Sequence, residues 1–194
     1  MYDLVCFICS IIMKLGGLQL KGRERLLQAT NCIICANHIS AFDPPFIGAI
    51  IPFKVNFLAK IELFRNPLMA KIFWKVKAIP VRRGRIDRRA LKEVEKRLEL
   101  GESIVIFPEG TRKSAKVKAG TGKFALEMKK DILPIFIENS DDIRGCIFGK
   151  KILRITVGEY IRAESFQDME PTKENYQILA NDVMKKINEL KNTD

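Results

Sequence analysis

The stretch Asn31-Cys-Ile-Ile-Cys-Ala36 is apolar after its first residue, and the more polar stretch Asn37-His-Ile-Ser-Ala-Phe-Asp43 follows it directly. A short apolar run bounded by polar residues is typical of a strand that is buried on both faces. Five further runs share this pattern, at residues 55–59, 78–81, 103–107, 132–137 and 152–157. The sequence therefore predicts six strands, the first of which leads into a polar loop.

Helical patterns separate these runs. Asn66 followed by proline is a typical helix start, and Asp87 can cap a second helix in the same way. Thr121 is predicted to cap a third helix, and Thr172 begins a last pattern whose apolar residues recur at steps of three and four. Strands that alternate with helices predict the α/β class, here a single layered domain with a largely parallel or mixed sheet flanked by helices.

The composition indicates one folded domain with an anionic partner. The 194 residues are 47% hydrophobic and 29% charged, which fits a single core and excludes a disordered or collagen-like chain. The net charge is +11. Two stretches have a summed net charge above this value: residues 71–92, with nine basic and one acidic residue, and residues 112–130, with seven and one. Nucleic acid, a membrane surface or a phosphorylated ligand would each suit such charge.

Residues 4–13 form an apolar run at the amino terminus. The run follows Asp3 rather than a basic segment, which does not fit a secretory signal peptide. The run ends at Lys14, so it is shorter than the roughly 20 apolar residues that a helix needs to cross a bilayer. The pattern predicts an interfacial, membrane-associating segment over residues 1–20 and a folded domain over residues 21–194.

Two cysteine pairs, Cys6 with Cys9 and Cys32 with Cys35, have the spacing of zinc ligands. The first pair falls in the apolar helical run, and the second falls in a predicted strand, where residues three apart face opposite ways. Neither pair offers the tight turn that a zinc site needs. We interpret the cysteines as small, reduced, apolar side chains and predict no metal.

His38 is the only histidine of the chain, and it lies where the first predicted strand gives way to a loop. A lone histidine is often structural, but Asp43 follows five residues later. Because Pro44 and Pro45 disfavour a continuing helix, we predict a loop that turns back and brings the carboxylate to the imidazole. Such a pair is a general base for an attacking hydroxyl. Ser40 is interpreted as a turn-stabilising residue rather than a nucleophile.

A second polar loop, Phe107-Pro-Glu-Gly-Thr-Arg112, follows the predicted strand at residues 103–107. Its glycine allows close approach to a ligand, and Arg112 offers a forked donor for phosphate, although a solvated turn has the same composition. The stretch Gly120-Thr-Gly-Lys123 does not match a nucleotide-binding loop, because Val117 stands where that motif needs glycine.

These loops resemble those of the glycerolipid acyltransferases, the family of 1-acylglycerol-3-phosphate acyltransferases. Asn-His-x-Ser-x-x-Asp at residues 37–43 and Phe-Pro-Glu-Gly-Thr-Arg at residues 107–112 carry most of the resemblance. Ala-Ile-Pro-Val-Arg-Arg-Gly at residues 78–84 resembles a further block of the family, as do Leu-Pro-Ile at residues 133–135 and the segment at residues 60–67. The similarity extends from about residue 20 to about residue 160, so the resemblance makes residues 21–194 an acyltransferase domain.

The resemblance also implies roles for individual residues. It makes His38 the base and Asp43 its partner, and it places Glu109 and Gly110 in the catalytic pocket, where nearby backbone N–H groups would meet the oxyanion. The substrate-binding residues that it implies are Lys60, Arg83, Thr111 and Arg112, with the arginines on the acceptor phosphate.

The implied reaction is acyl transfer from a thioester to the free hydroxyl of 1-acylglycerol 3-phosphate, which forms phosphatidate in phospholipid biosynthesis. It implies no cofactor; acyl-coenzyme A or acyl carrier protein is the co-substrate, and a lysophospholipid is the acceptor. We expect attachment to an anionic membrane surface on the cytoplasmic face, and no nucleic-acid partner, since no such motif is present. Two alternatives stay open: an acyltransferase for another lysolipid or for glycerol 3-phosphate, and a non-enzymatic basic protein that binds membranes or nucleic acid.

Overall fold

The computed structural model describes residues 1–82, 87–114 and 116–192, and within these ranges seven strands form one sheet. The strands are β1 (Gln19–Lys21), β2 (Ile33–Ala36), β3 (Asn56–Lys60), β4 (Ala78–Val81), β5 (Ile104–Ile106), β6 (Ile132–Glu138) and β7 (Arg154–Val157). Their order across the sheet is β1-β7-β6-β2-β5-β3-β4, and only β6 and β7 pair antiparallel. The predicted α/β class with a mixed sheet is confirmed.

Helices cover both faces of this sheet. In the described ranges they are α1 (Tyr2–Leu15), α2 (Arg23–Leu26), α3 (Asp43–Ile50), α4 (Pro67–Lys75), α5 (Arg88–Glu99), α6 (Gly120–Met128), α7 (Ile143–Ile147) and α8 (Lys173–Glu189), with single 3-10 turns at Ile61–Phe64, Ala163–Ser165 and Leu190–Asn192. Alternate residues of β2 face opposite layers: Ile34 packs with α1, α3 and α7, whereas Ile33 packs with α5, α6 and α8. The central strands are therefore buried on both faces, which explains why they read as continuous apolar runs.

Three predicted helix starts are confirmed by their capping hydrogen bonds. The Asn66 side chain accepts from two amides of the first turn of α4, at 2.9 and 3.1 Å. Asp87 caps α5 in the same way, and the Thr172 hydroxyl accepts from an amide of α8 at 3.2 Å. Each cap satisfies amides that have no partner within the helix.

The predicted cap at Thr121 is wrong. Helix α6 begins at Gly120, and Thr121 lies inside its first turn with its side chain buried. Tight packing against α8 accounts for the difference, because a Cβ at Gly122 would lie 2.0 Å from the carbonyl oxygen of Tyr176. The glycine lets the backbones of α6 and α8 meet at this point.

The six predicted strands are present, and their observed bounds differ from the predicted ones by at most two residues. Strand β1 is a seventh strand that the sequence does not predict. It has only three residues, two of them polar, so no apolar run marks it. The strand forms because β7 offers an edge, with Leu20 opposite Ile155.

Helix α1 has a buried side and an exposed apolar side. Tyr2, Cys9 and Met13 are buried against the domain, and α1 contacts α3 and α7. The outward side chains are apolar and 44–62% exposed: Leu4, Phe7, Ile8, Ile11 and Leu15. In the described part of the chain, no helix is both long enough and apolar enough to cross a membrane. The division at residue 20 and the attachment to a membrane stay predictions.

Candidate active site

The two polar loops meet at the carboxyl ends of β2 and β5, which are parallel neighbours. The His38 amide donates to Oε2 of Glu109 at 2.5 Å across 71 residues of sequence. The Lys113 amide donates to the His38 carbonyl oxygen at 2.8 Å. These bonds join the two loops, so the motifs that carry the resemblance form one site.

His38 and Asp43 form a hydrogen-bonded pair. The imidazole Nδ1 lies 2.8 Å from Asp43 Oδ2, and the carboxylate is fully buried while the imidazole is 15% exposed. Phe107 stacks on the imidazole with ring centroids 4.3 Å apart. Among the described residues, none forms a hydrogen bond with Nε2 of His38. A carboxylate on Nδ1 fixes the tautomer in which Nε2 accepts a proton.

The predicted loop around Asp43 is wrong in one respect, because Asp43 is the first residue of α3. Pro44 and Pro45 occupy the first turn of this helix, where a missing N–H costs nothing, so they start the helix instead of preventing it. The carboxylate still turns back, and its Oδ2 accepts from the amides of Ile39 and Ser40 at 2.8 and 2.7 Å.

Ser140, which follows β6, and Asn37, which bonds to β6, hold the loop that carries His38 and Asp43. Neither residue has a predicted role. Ser140 is fully buried, and its hydroxyl donates to Oδ1 of Asp43 at 2.5 Å. Asn37 pairs with the backbone of Ile137 through both ends of its amide, at 2.7 and 2.8 Å. Ser140 follows a predicted strand, so the rule that sites lie at strand ends makes it a candidate, but only the sheet order, with β6 beside β2, brings it to Asp43.

Glu109 holds the backbone of the loop that carries His38. Its side chain is buried and accepts from the His38 backbone amide. Burial raises the pKa of the Glu109 carboxyl above its ordinary value, and the hydrogen bond from His38 offsets this only in part. The position indicates that Glu109 holds the backbone of the histidine loop.

Gly110 has a left-handed backbone with φ of 69°, which favours glycine, and its amide donates to the Phe107 carbonyl oxygen at 2.9 Å. The Gly110 N–H is therefore occupied by the turn. Thr111 lines the cavity beside His38, and its amide makes no hydrogen bond with any described residue. This amide is the better candidate for an oxyanion donor near Gly110.

A cavity of about 1440 Å³ opens beside His38 and runs across the carboxyl edge of the sheet. One part of it, which we call the apolar limb, is lined by Tyr2, Val5, Cys6, Gly48 and Phe57. Cavities for small ligands are typically about 300–1,000 Å³, so the space suits a larger, mostly apolar ligand.

The predicted substrate-binding residues are only partly assembled around this cavity. Lys60 and Thr111 line it, and Lys60 Nζ lies 3.8 Å from a carboxylate oxygen of Glu62. Arg112 is exposed and does not line the cavity. Arg83 lies outside the described residues.

The paired cysteines are free thiols in the described structure. Cys6 and Cys9 lie on α1, and Cys32 and Cys35 lie at and within β2, which agrees with the predicted helix and strand. Across residues 1–82, 87–114 and 116–192, no group of three or more His, Cys, Asp or Glu side chains is placed to hold a metal ion.

The chain is similar in sequence to known acyltransferases. The chain is 28% identical to the 1-acyl-sn-glycerol-3-phosphate acyltransferase of Bacillus subtilis, over 99% of this chain and 98% of that protein. It is 31% identical to the protein of the same name from Borreliella burgdorferi, over 94% and 77%.

Known structures agree on the fold. The crystal structure of the 1-acyl-sn-glycerophosphate acyltransferase of Thermotoga maritima matches with a TM-score of 0.63 at 21% identity, over 99% of this chain and 83% of that one. The family model described as Acyltransferase matches residues 17–138, which include both polar loops. The chain therefore belongs to the acyltransferase family.

Proposed function

We propose that this enzyme transfers an acyl group from a thioester to the free hydroxyl of 1-acylglycerol 3-phosphate and so forms phosphatidate. The observation that carries the proposal is the buried His38–Asp43 pair, whose imidazole opens on a large, mostly apolar cavity. The names of the relatives from Bacillus subtilis and Borreliella burgdorferi support the choice of acceptor.

In the proposed mechanism, Nε2 of His38 takes the proton of the acceptor hydroxyl as its oxygen attacks the thioester carbonyl. Asp43 stabilises the imidazolium, and the Thr111 amide stabilises the oxyanion. Collapse of the intermediate breaks the carbon–sulfur bond, and the imidazolium returns the proton to the departing thiolate. The products are the new ester and a free thiol, and no further cofactor is needed.

The apolar limb suits the acyl chain of the donor. Tyr2 and Phe57 line it, and the hydroxyl of Tyr2 accepts a hydrogen bond from the Val55 amide at 3.1 Å. Each buried methylene of a bound chain contributes about 0.8 kcal/mol, which gives a cavity of this kind a strong preference for long chains.

We assign the acceptor phosphate to Lys60, which lines the cavity, and to Arg83 and Arg112, whose assignment rests on the resemblance of their motifs alone. Lys60 lies at the end of β3 on the cavity wall, and Arg112 follows Thr111 directly. A charge-assisted hydrogen bond to phosphate contributes about 1.5–3 kcal/mol, so loss of one arginine should raise the KM for the acceptor more than the KM for the donor.

We propose peripheral attachment to a membrane on its cytoplasmic face, and the exposed apolar side of α1 supports the attachment. Helix α4 adds further exposed apolar side chains, at Leu68 and Trp74, next to the cations Lys71 and Lys75. Apolar insertion and attraction to anionic lipid would then act together. Sedimentation with anionic vesicles tests this: Ile8→Asp should weaken binding, whereas Ile178→Asp, at an equally exposed isoleucine on α8, should not.

Assays with a panel of acceptors test the reaction itself. The purified enzyme should acylate 1-acylglycerol 3-phosphate faster than another lysophospholipid, glycerol 3-phosphate or phosphate-free 1-acylglycerol, with acyl-coenzyme A and acyl carrier protein compared as donors. A preference for another acceptor would overturn the assignment of substrate. Absence of turnover with every pair would overturn the proposed function and favour a non-enzymatic, lipid-binding protein.

A further inference from the structure

The buried carboxylate of Asp43 is held unequally at its two oxygens. Oδ2 accepts from His38 Nδ1 and from the amides of Ile39 and Ser40. Oδ1 has one hydrogen-bond donor among the described residues, the hydroxyl of Ser140 at 2.5 Å. Asp43 and Ser140 are both fully buried, so bulk water does not reach Oδ1 to donate a hydrogen bond in place of the hydroxyl.

Ser140 comes from a distant part of the chain, 97 residues after Asp43, and its position is tightly fixed. Strand β6 pairs in parallel with β2, and the two hydrogen bonds between Asn37 and Ile137 extend this register beyond the end of β2. Asn139 then adopts a left-handed backbone with φ of 62°, which asparagine tolerates better than most residues. The chain therefore turns at Asn139 and aims the next side chain at the carboxylate.

This hydroxyl restricts what the carboxylate can do. A carboxylate with hydrogen bonds only at Oδ2 can rotate more easily about its Cβ–Cγ bond, because the rotation breaks no hydrogen bond at Oδ1. Any swing displaces Oδ2 from the imidazole and loosens the tautomer on which proton transfer by Nε2 depends. A donor on Oδ1 removes that freedom and compensates a buried negative charge.

We propose that Ser140 is a positioning residue for the His38–Asp43 pair, which orients the Asp43 carboxylate so that it holds one imidazole tautomer. The proposal rests on the proposed function for its kinetic consequences but not for its structural one. Ser140 acts through Asp43 and touches neither substrate. It would thus set the rate of proton transfer and leave the binding of donor and acceptor unchanged.

Kinetics of three variants test the role. Ser140→Ala should lower kcat about tenfold at unchanged KM for both substrates, since a charge-assisted hydrogen bond is lost. Ser140→Thr keeps the hydroxyl and should restore most of the rate. In an Asp43→Asn background, Ser140→Ala should cost little more, because residues that act as one unit are not additive. An equal loss in both backgrounds, or a lower Tm with unchanged kcat, would overturn the proposal.

Nuclear magnetic resonance gives a test that does not need turnover. Because His38 is the only histidine, the ring nitrogen signals of a ¹⁵N-histidine-labelled protein belong to it alone. The wild type and Ser140→Thr should show a single tautomer with the proton on Nδ1, whereas Ser140→Ala should show a mixture. A single unchanged tautomer in Ser140→Ala would refute the proposal even if no acyl transfer were found, so the two failures remain distinct.

Discussion

Substitution of Gly48 should shorten the acyl chain that the enzyme prefers. A Cβ at this position would lie 3.2 Å from the Tyr2 hydroxyl, 3.3 Å from Phe57 Cζ and 3.4 Å from Cys6 Sγ, all in the apolar limb. These contacts are tight, so the neighbours must shift by a few tenths of an ångström, and the limb loses the space that they and the new side chain take. A leucine side chain would take the place of about three methylenes of substrate, which removes about 2.4 kcal/mol of binding. We expect kcat/KM for long donors to fall about 60-fold in Gly48→Leu, and about fourfold in Gly48→Ala, where about one methylene is lost.

The assay compares kcat/KM along a series of thioesters of increasing chain length, with the acceptor held constant. Short donors are the internal control, because they do not reach the added side chain and should keep their wild-type kcat/KM. Tm measurements show whether the variants stay folded, and Gly48→Ala serves if the leucine proves too large. An equal loss for short and long donors, or no loss for long ones, would refute the placement of the acyl chain in the apolar limb.

Three further changes test the site and the surface. His38→Ala should lower kcat about 10²–10⁴-fold with an unchanged circular dichroism spectrum, as expected for a lost general base. Burial raises the pKa of Glu109 above its value in the unfolded chain, so the wild type should lose stability relative to Glu109→Gln as pH rises through these two pKa values. Urea unfolding measures this, and a difference in unfolding free energy that is the same at every pH would contradict it. Changing Lys71 and Lys75 to Glu should weaken vesicle binding at low salt and much less at high salt, where the attraction is already screened.

The central strands and the two polar loops could be predicted because their signals are local. The runs that became β2 and β5 are buried on both faces, so they stay apolar throughout and are easy to recognise. The three-residue strand β1 carries no such signal, since it depends on the edge of β7. The sequence predicts a loop where α3 begins, because prolines stop a helix in its interior. In the first turn they start one, and this is where Pro44 and Pro45 lie.

The rest of the site depends on distances that no local pattern records. Ser140 reaches Asp43 only because β6 lies beside β2, a neighbour relation fixed by the order of the sheet. The sequence likewise predicts that Thr111 and Arg112 both bind substrate. After the turn at Gly110, however, Thr111 lines the cavity and Arg112 does not. The cavity itself is a space between distant elements, so composition and periodicity say nothing about it.

Helix α1 is a partition between two apolar spaces. Its outward side chains face the region that we assign to lipid, and its inward residues Tyr2, Val5 and Cys6 line the apolar limb. If the enzyme binds the bilayer as we propose, the acceptor enters beside this wall from the lipid, and its effective concentration is its mole fraction in the bilayer. Dilution of the acceptor with inert lipid should then slow the enzyme at constant bulk concentration, whereas dilution of the whole suspension should slow it much less.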